Sequence, residues 1–107
     1  MRSESLKGHL DMLILAVLRD SPAHGYSVIQ RLAEASDGAF DLAEGTVYPA
    51  LYRLEGAGLL ASSETVAGAR RRRVYRLTAA GEEALTERVA EWRSFARSVG
   101  RMIAAPA

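Results

Sequence analysis

The 107-residue chain has no cysteine. Disulfides, thiolate zinc sites and cysteine nucleophiles are therefore excluded. Its two histidines, His9 and His24, are too few and too far apart in sequence for a metal cage. No apolar run approaches the length that spans a bilayer, and the N-terminus lacks a secretory apolar region with its cleavage site. The expected compartment is the cytoplasm. No nucleophile–base pair, phosphate-binding loop or metal cluster is visible, so neither enzymatic activity nor a cofactor is expected. Lysine is nearly missing too: thirteen of the fourteen basic residues are arginine.

What remains is an ordinary soluble composition, 49% apolar and 25% charged, enough for one modest core. The net charge of +1 hides an asymmetry. Residues 1–63 hold five basic and eight acidic side chains, and residues 82–107 hold four of each. The positive charge is concentrated in residues 64–81, where five arginines face one glutamate. A charged patch matters more to an anionic partner than the total does.

Met1 to Ser5 is polar and expected to fray. Leu6, Leu10, Leu13, Ile14, Val17 and Leu18 form a helical stripe, with Met12, Leu15 and Ala16 filling much of the other side. A helix apolar nearly all round is buried on two sides. One side belongs to the chain's own core and the other to a second subunit, with Leu10 and Leu15 in that interface. Asp20-Ser21-Pro22 stops the helix. His24-Gly25-Tyr26-Ser27 opens a second one, ended by Ser36-Asp37-Gly38. Tyr26 lies in its first turn, where free N–H groups favour an anion such as a phosphate. Phe40 and Leu42 alternate with polar and small neighbours in a short linker, expected to hold a residue or two of strand.

The stretch Glu44 to Leu60 organises the rest. Read as a helix, Val47, Leu51 and Leu54 share one face, which must be buried. Thr46, Tyr48, Tyr52 and Arg53 lie on the outer side, with Tyr48 and Tyr52 one turn apart. A hydroxyl, two phenols and a guanidinium are suitable donors for phosphates and base edges. Pro49, also a DNA-facing candidate, is expected in the first turn, where its missing N–H has no cost. Two helices joined by a short turn, the second with a polar outer face, indicate a helix-turn-helix.

A hairpin follows, predicted as strand from Leu59 to Thr65, turn from Val66 to Ala69 and strand from Arg70 to Leu77. Alternation puts Tyr75 and Leu77 toward the core. The consecutive Arg70, Arg71, Arg72 and Arg73 form a cationic tip that phosphates would neutralise. The fold class is thus mainly α with a small β-hairpin: a winged helix-turn-helix over residues 1–81, followed by a dimerisation helix over 82–107. Thr78 is the expected N-cap of that helix. Leu85, Val89, Trp92, Ala96, Val99 and Ile103 then recur at heptad spacing, a seam for a second chain. A winged helix that meets another protein through its tyrosines is the competing reading, and the arginines argue against it.

His24-Gly25-Tyr26, the run Gly45 to Glu55 with Gly58-Leu59, and the basic wing leading into Tyr75-Arg76-Leu77-Thr78 and Gly81 resemble the PadR family of bacterial transcriptional regulators. The resemblance covers Leu6 to Ile103. It implies a dimeric winged-helix protein that binds double-stranded DNA, in most members as a repressor. It also implies that the single C-terminal helix packs against the partner subunit and its first helix. The position of Trp92 resembles that of a tryptophan in a multidrug-responsive member, where paired tryptophans flank a pore for flat aromatic drugs. Trp92, Phe95 and Ala96 are the corresponding ligand-site candidates, with Glu91 as a carboxylate for a cationic ligand. The wing departs from the family in having Val74 where a second aromatic is common.

Overall fold

Aliphatic stripes on four helices converge on one core, and a small sheet closes its side. The structure, a computed structural model, describes residues 6 and 8–104. The polar stretch 1–5, residue 7 and residues 105–107 lie outside the described residues. In chain order the elements are α1 (Leu10–Leu18), β1 (Ala23–His24), α2 (Gly25–Ala35), α3 (Glu44–Gly56), β2 (Leu60–Ala67), β3 (Arg70–Leu77) and α4 (Ala79–Ile103). Ile14, Leu15 and Leu18 of α1 meet Val28 and Leu32 of α2 and Val47, Leu51 and Leu54 of α3, with Leu60, Tyr75 and Leu85 completing the cluster. No helix among the described residues is long and apolar enough to cross a membrane.

The helix-turn-helix and wing are present, with differences in detail. Leu6 is helical and buried, and Gly8, at φ +96°, which no right-handed helix accommodates, separates it from the helix Leu10–Leu18. Leu15 and Leu85, expected in a subunit interface, are buried inside the single chain and have no surface to offer a second copy. The linker around Phe40 and Leu42 holds no strand. The third strand is instead Ala23–His24, antiparallel to β3 with Ala23 opposite Tyr75 and His24 opposite Val74. The hairpin runs two residues further than predicted and turns on Gly68-Ala69, with Ala67 opposite Arg70. Pro49 lies in the second turn of α3, not the first. The residue four positions earlier, Gly45, whose carbonyl loses its intrahelical donor, is exposed, so water can serve it, and the helix continues to Gly56.

Two contacts fix how the elements meet. The Arg31 guanidinium of α2 donates to the carbonyls of Val17 at 3.0 Å, Ser21 at 2.8 Å and Pro22 at 3.1 Å. It thereby holds the chain that leaves α1 and delivers it to β1. At the other end, Thr78 caps α4, its Oγ1 accepting from the Gly81 N–H at 3.0 Å. A Cβ at Gly81 would stand 2.1 Å from the Leu59 carbonyl oxygen. Backbone occupies that space, so no side-chain rotation can relieve the clash. Gly81→Ala should therefore lower stability by about 1–3 kcal/mol, the range for overpacking a tight site, as read from urea unfolding. An unchanged midpoint would mean that α4 docks less closely than this.

Toward its C-terminal end, where Met102 and Ile103 are exposed, the long helix leaves the body of the domain. The molecule measures 62 × 28 × 21 Å, its length set by this 25-residue helix. α4 runs unbroken across residue 81, and Leu85 packs into the winged core.

Candidate nucleic-acid interface

The interface is built where the N-terminus of α2 meets the hairpin. His24 is the N-cap, its Nδ1 accepting from the Ser27 N–H at 3.3 Å. That bond requires the ring proton on Nε2, which lies 3.1 Å from Ser27 Oγ and 3.2 Å from Arg72 Nη1. Arginine only donates, so a bond from Arg72 needs Nε2 bare. The helix cap and the arginine tether thus use opposite tautomers of one ring.

Tyr48 reaches across from α3 to the same place. A Cβ at Gly25 would come within 2.5 Å of the Tyr48 ring, so the absent side chain is what lets the phenol lie on the start of α2. Tyr26, His24, Tyr48, Tyr75 and Arg70 to Arg73 then line one open cavity of about 350 Å³. Burial raises the Tyr75 phenol above its ordinary value of 10.0, and Glu55 adds to the effect, so its hydroxyl keeps its proton at neutral pH.

The four arginines are exposed but not equally free. Arg73 donates to Ser62 Oγ at 2.9 Å, and Ser62 in turn donates to the Glu55 carboxylate. Arg73 also lies 3.6 Å from Glu64, its cross-strand partner, and Arg71 lies 4.0 Å from the same residue. Arg70 makes no ion pair among the described residues. Cross-strand pairing with β2 therefore holds a block of like charge in regular structure and leaves its outer end available.

Thr46, Pro49 and Tyr52 are exposed along α3, outside the cavity, Tyr52 at 78%. Arg53 takes another direction. Its guanidinium donates to the Asp11 carboxylate of α1, a partner that no local pattern could have revealed. Of the predicted DNA-facing residues, the fold thus gathers Tyr26, Tyr48 and Arg70 to Arg73 in one cavity, and aligns Thr46, Pro49 and Tyr52 on the adjoining helix.

A second cavity, of about 530 Å³, lies between the start of α1 and the middle of α4. His9, Asp11, Met12, Arg88, Glu91, Trp92 and Phe95 line it, whereas Ala96 does not. The His9 and Trp92 rings meet edge to face at 5.2 Å, and Phe95 lies 6.2 Å from Trp92. His9, Asp11 and Arg88 were not legible as site residues, because each becomes one only when α1 packs on α4.

The chain is similar to known transcriptional regulators. A family model described as the transcriptional regulator PadR-like family matches residues 14–87. A transcriptional regulator from Mycobacterium tuberculosis is 46% identical over 74 residues, covering 69% of this chain and 66% of that protein. The crystal structure of a PadR family transcriptional regulator from Eggerthella lenta is 35% identical with a TM-score of 0.83, covering 96% of this chain and 88% of the other. Bacillus subtilis PadR in complex with operator DNA shares the fold, with 24% identity and a TM-score of 0.70 over 76% of this chain and 46% of that one.

Proposed function

The chain belongs to the PadR-like family of transcriptional regulators, and from that premise we propose that it is a homodimeric, sequence-specific DNA-binding repressor released by a small aromatic ligand. One observation carries the DNA-binding reading: α3 presents Thr46, Tyr48, Pro49 and Tyr52 outward beside a hairpin whose four arginines share a cavity with Tyr26 and Tyr48. In this reading α3 enters the major groove and reads base edges, while the arginines and the first turn of α2 hold the flanking phosphates. The operator complex of Bacillus subtilis PadR supports the assignment through the shared fold.

Dimerisation is supported by the outer half of α4. Trp92, Phe95, Met102 and Ile103 stand exposed there, with Val99 between them. Such an apolar strip on a projecting helix calls for a partner, and a second copy supplies the same strip by two-fold symmetry. The effector reading is supported by the cavity at Trp92, where aromatic walls stand beside the carboxylate of Glu91.

Selection of bound duplexes from a random pool tests the whole reading. The expected result is a pseudo-palindromic site whose half-sites lie about one helical turn apart. A planar aromatic cation is then expected to quench Trp92, the only tryptophan, and to release the selected duplex. A pool that yields no enriched sequence would sink the reading and favour a winged helix that binds protein. Quenching without release would remove the effector role.

A further inference from the structure

Outside the basic cavity, three helices share a single carboxylate. Arg53, in the last turn of α3, donates to Asp11 Oδ1, while Arg88 Nη1 of α4 lies 3.5 Å from Asp11 Oδ2. Each oxygen of Asp11 is thus held by a different helix. The Asp11 side chain is mostly covered, at 24% exposure, whereas the Arg53 side chain is 60% exposed. Ion pairs this open contribute little to stability. The arrangement is better understood through what it restrains: the charged end of a long side chain on the helix read above as DNA-facing.

Asp11 and Arg88 also line the cavity that holds Trp92. A change there that draws on either residue alters the hold on Arg53 without passing through the apolar core. We propose that Asp11 is a positioning residue that tethers Arg53 and that Arg88 competes for the same carboxylate, so that the Trp92 cavity and the recognition helix are coupled through this triad. The proposal rests on the DNA-binding reading of α3. Tethered, Arg53 is kept off the phosphates, which favours sequence discrimination. Released, its guanidinium adds one indiscriminate phosphate contact.

The direction of the effect follows. Asp11→Asn should raise affinity for a random-sequence duplex about fivefold, within the usual range of coupling between sites. It should also steepen the salt dependence by about 0.9, the share of one phosphate. Simple structural damage would lower affinity instead. Removing a negative charge anywhere would raise affinity somewhat, so the decisive comparison is Asp11→Asn in an Arg53→Gln background. There the gain is expected to vanish, and a gain of equal size would overturn the tether. In an Arg88→Gln background the Asp11→Asn step should grow, because Arg88 no longer shares the carboxylate; an unchanged step would overturn the coupling.

A second measurement uses no DNA and so separates this proposal from the DNA-binding reading. The Nε–Hε resonance of Arg53 should shift in Arg88→Gln, although the described contacts join these arginines only through Asp11. If it stays in place, the triad is not coupled, whatever the protein binds.

Discussion

Alanine at Arg70, Arg71, Arg72 and Arg73 together is expected to lower affinity for every duplex, matched or random, by on the order of 10²–10³ at about 0.1 M salt. Each arginine that neutralises a phosphate contributes about 0.9 to the slope of log affinity against log salt. Four full contacts would therefore flatten that slope by about 3.6. Arg72 and Arg73 already have protein partners in His24 and Ser62, and Arg71 has Glu64 nearby. A loss between about 2 and 3.6 in slope is accordingly the expected range. The fold should survive, because all four side chains are exposed and the core face of β3 is carried by Tyr75. Tyr52→Ala is the contrasting variant. It should alter base preference by roughly tenfold at one position while leaving the slope in place, as a base-reading side chain does. Fluorescence anisotropy over a salt series distinguishes the two. If the arginine variant keeps both affinity and slope, the hairpin is not a phosphate-binding wing.

The second large effect concerns assembly. Val99→Glu with Ile103→Glu should convert a dimer at micromolar concentration into a monomer, as read by sedimentation velocity. Burial of apolar surface is worth about 25 cal/mol per Å², so a strip carrying Trp92, Phe95, Met102 and Ile103 can support association. Two buried glutamates per chain, meeting their symmetry mates, would reverse that gain. Affinity for a full palindromic site should then fall by about 10² or more, because linked half-site binding is lost. Substitution at the outer end is a cleaner test than truncation after Gly81. Truncation would also remove Leu85 from the winged core and confuse unfolding with dissociation. A wild-type chain that sediments as a monomer would refute the seam; a double variant that remains dimeric would locate the interface elsewhere.

Local pattern carried much of the architecture. Apolar spacing located α2, α3 and the hairpin. For α4, the Thr78 cap and the heptad positions defined a helix with the observed limits, Ala79–Ile103. The arginine block was legible as a hairpin strand because Tyr75 and Leu77 alternate with polar residues beside it. These features depend on neighbours one turn or one residue apart, and such neighbours are adjacent in sequence.

Periodicity could not say what covers a buried face. Apolar spacing put Leu15 and Leu85 in a subunit interface, whereas the packing of α1 against α2, α3 and α4 assigns both to the chain's own core. Two-residue β1 was invisible because it has no pattern of its own; it is a strand only because β3 offers it an edge. The same reason separates Arg53 from Tyr52. They are consecutive on one helix and read alike in sequence, yet α1 brings the carboxylate of Asp11 to Arg53 and leaves Tyr52 open. A sequence determines which side chains share a helix face, because that is local geometry. Which of them meets a partner forty-two residues away is decided by tertiary packing, because charge pairing acts through space and not along the chain.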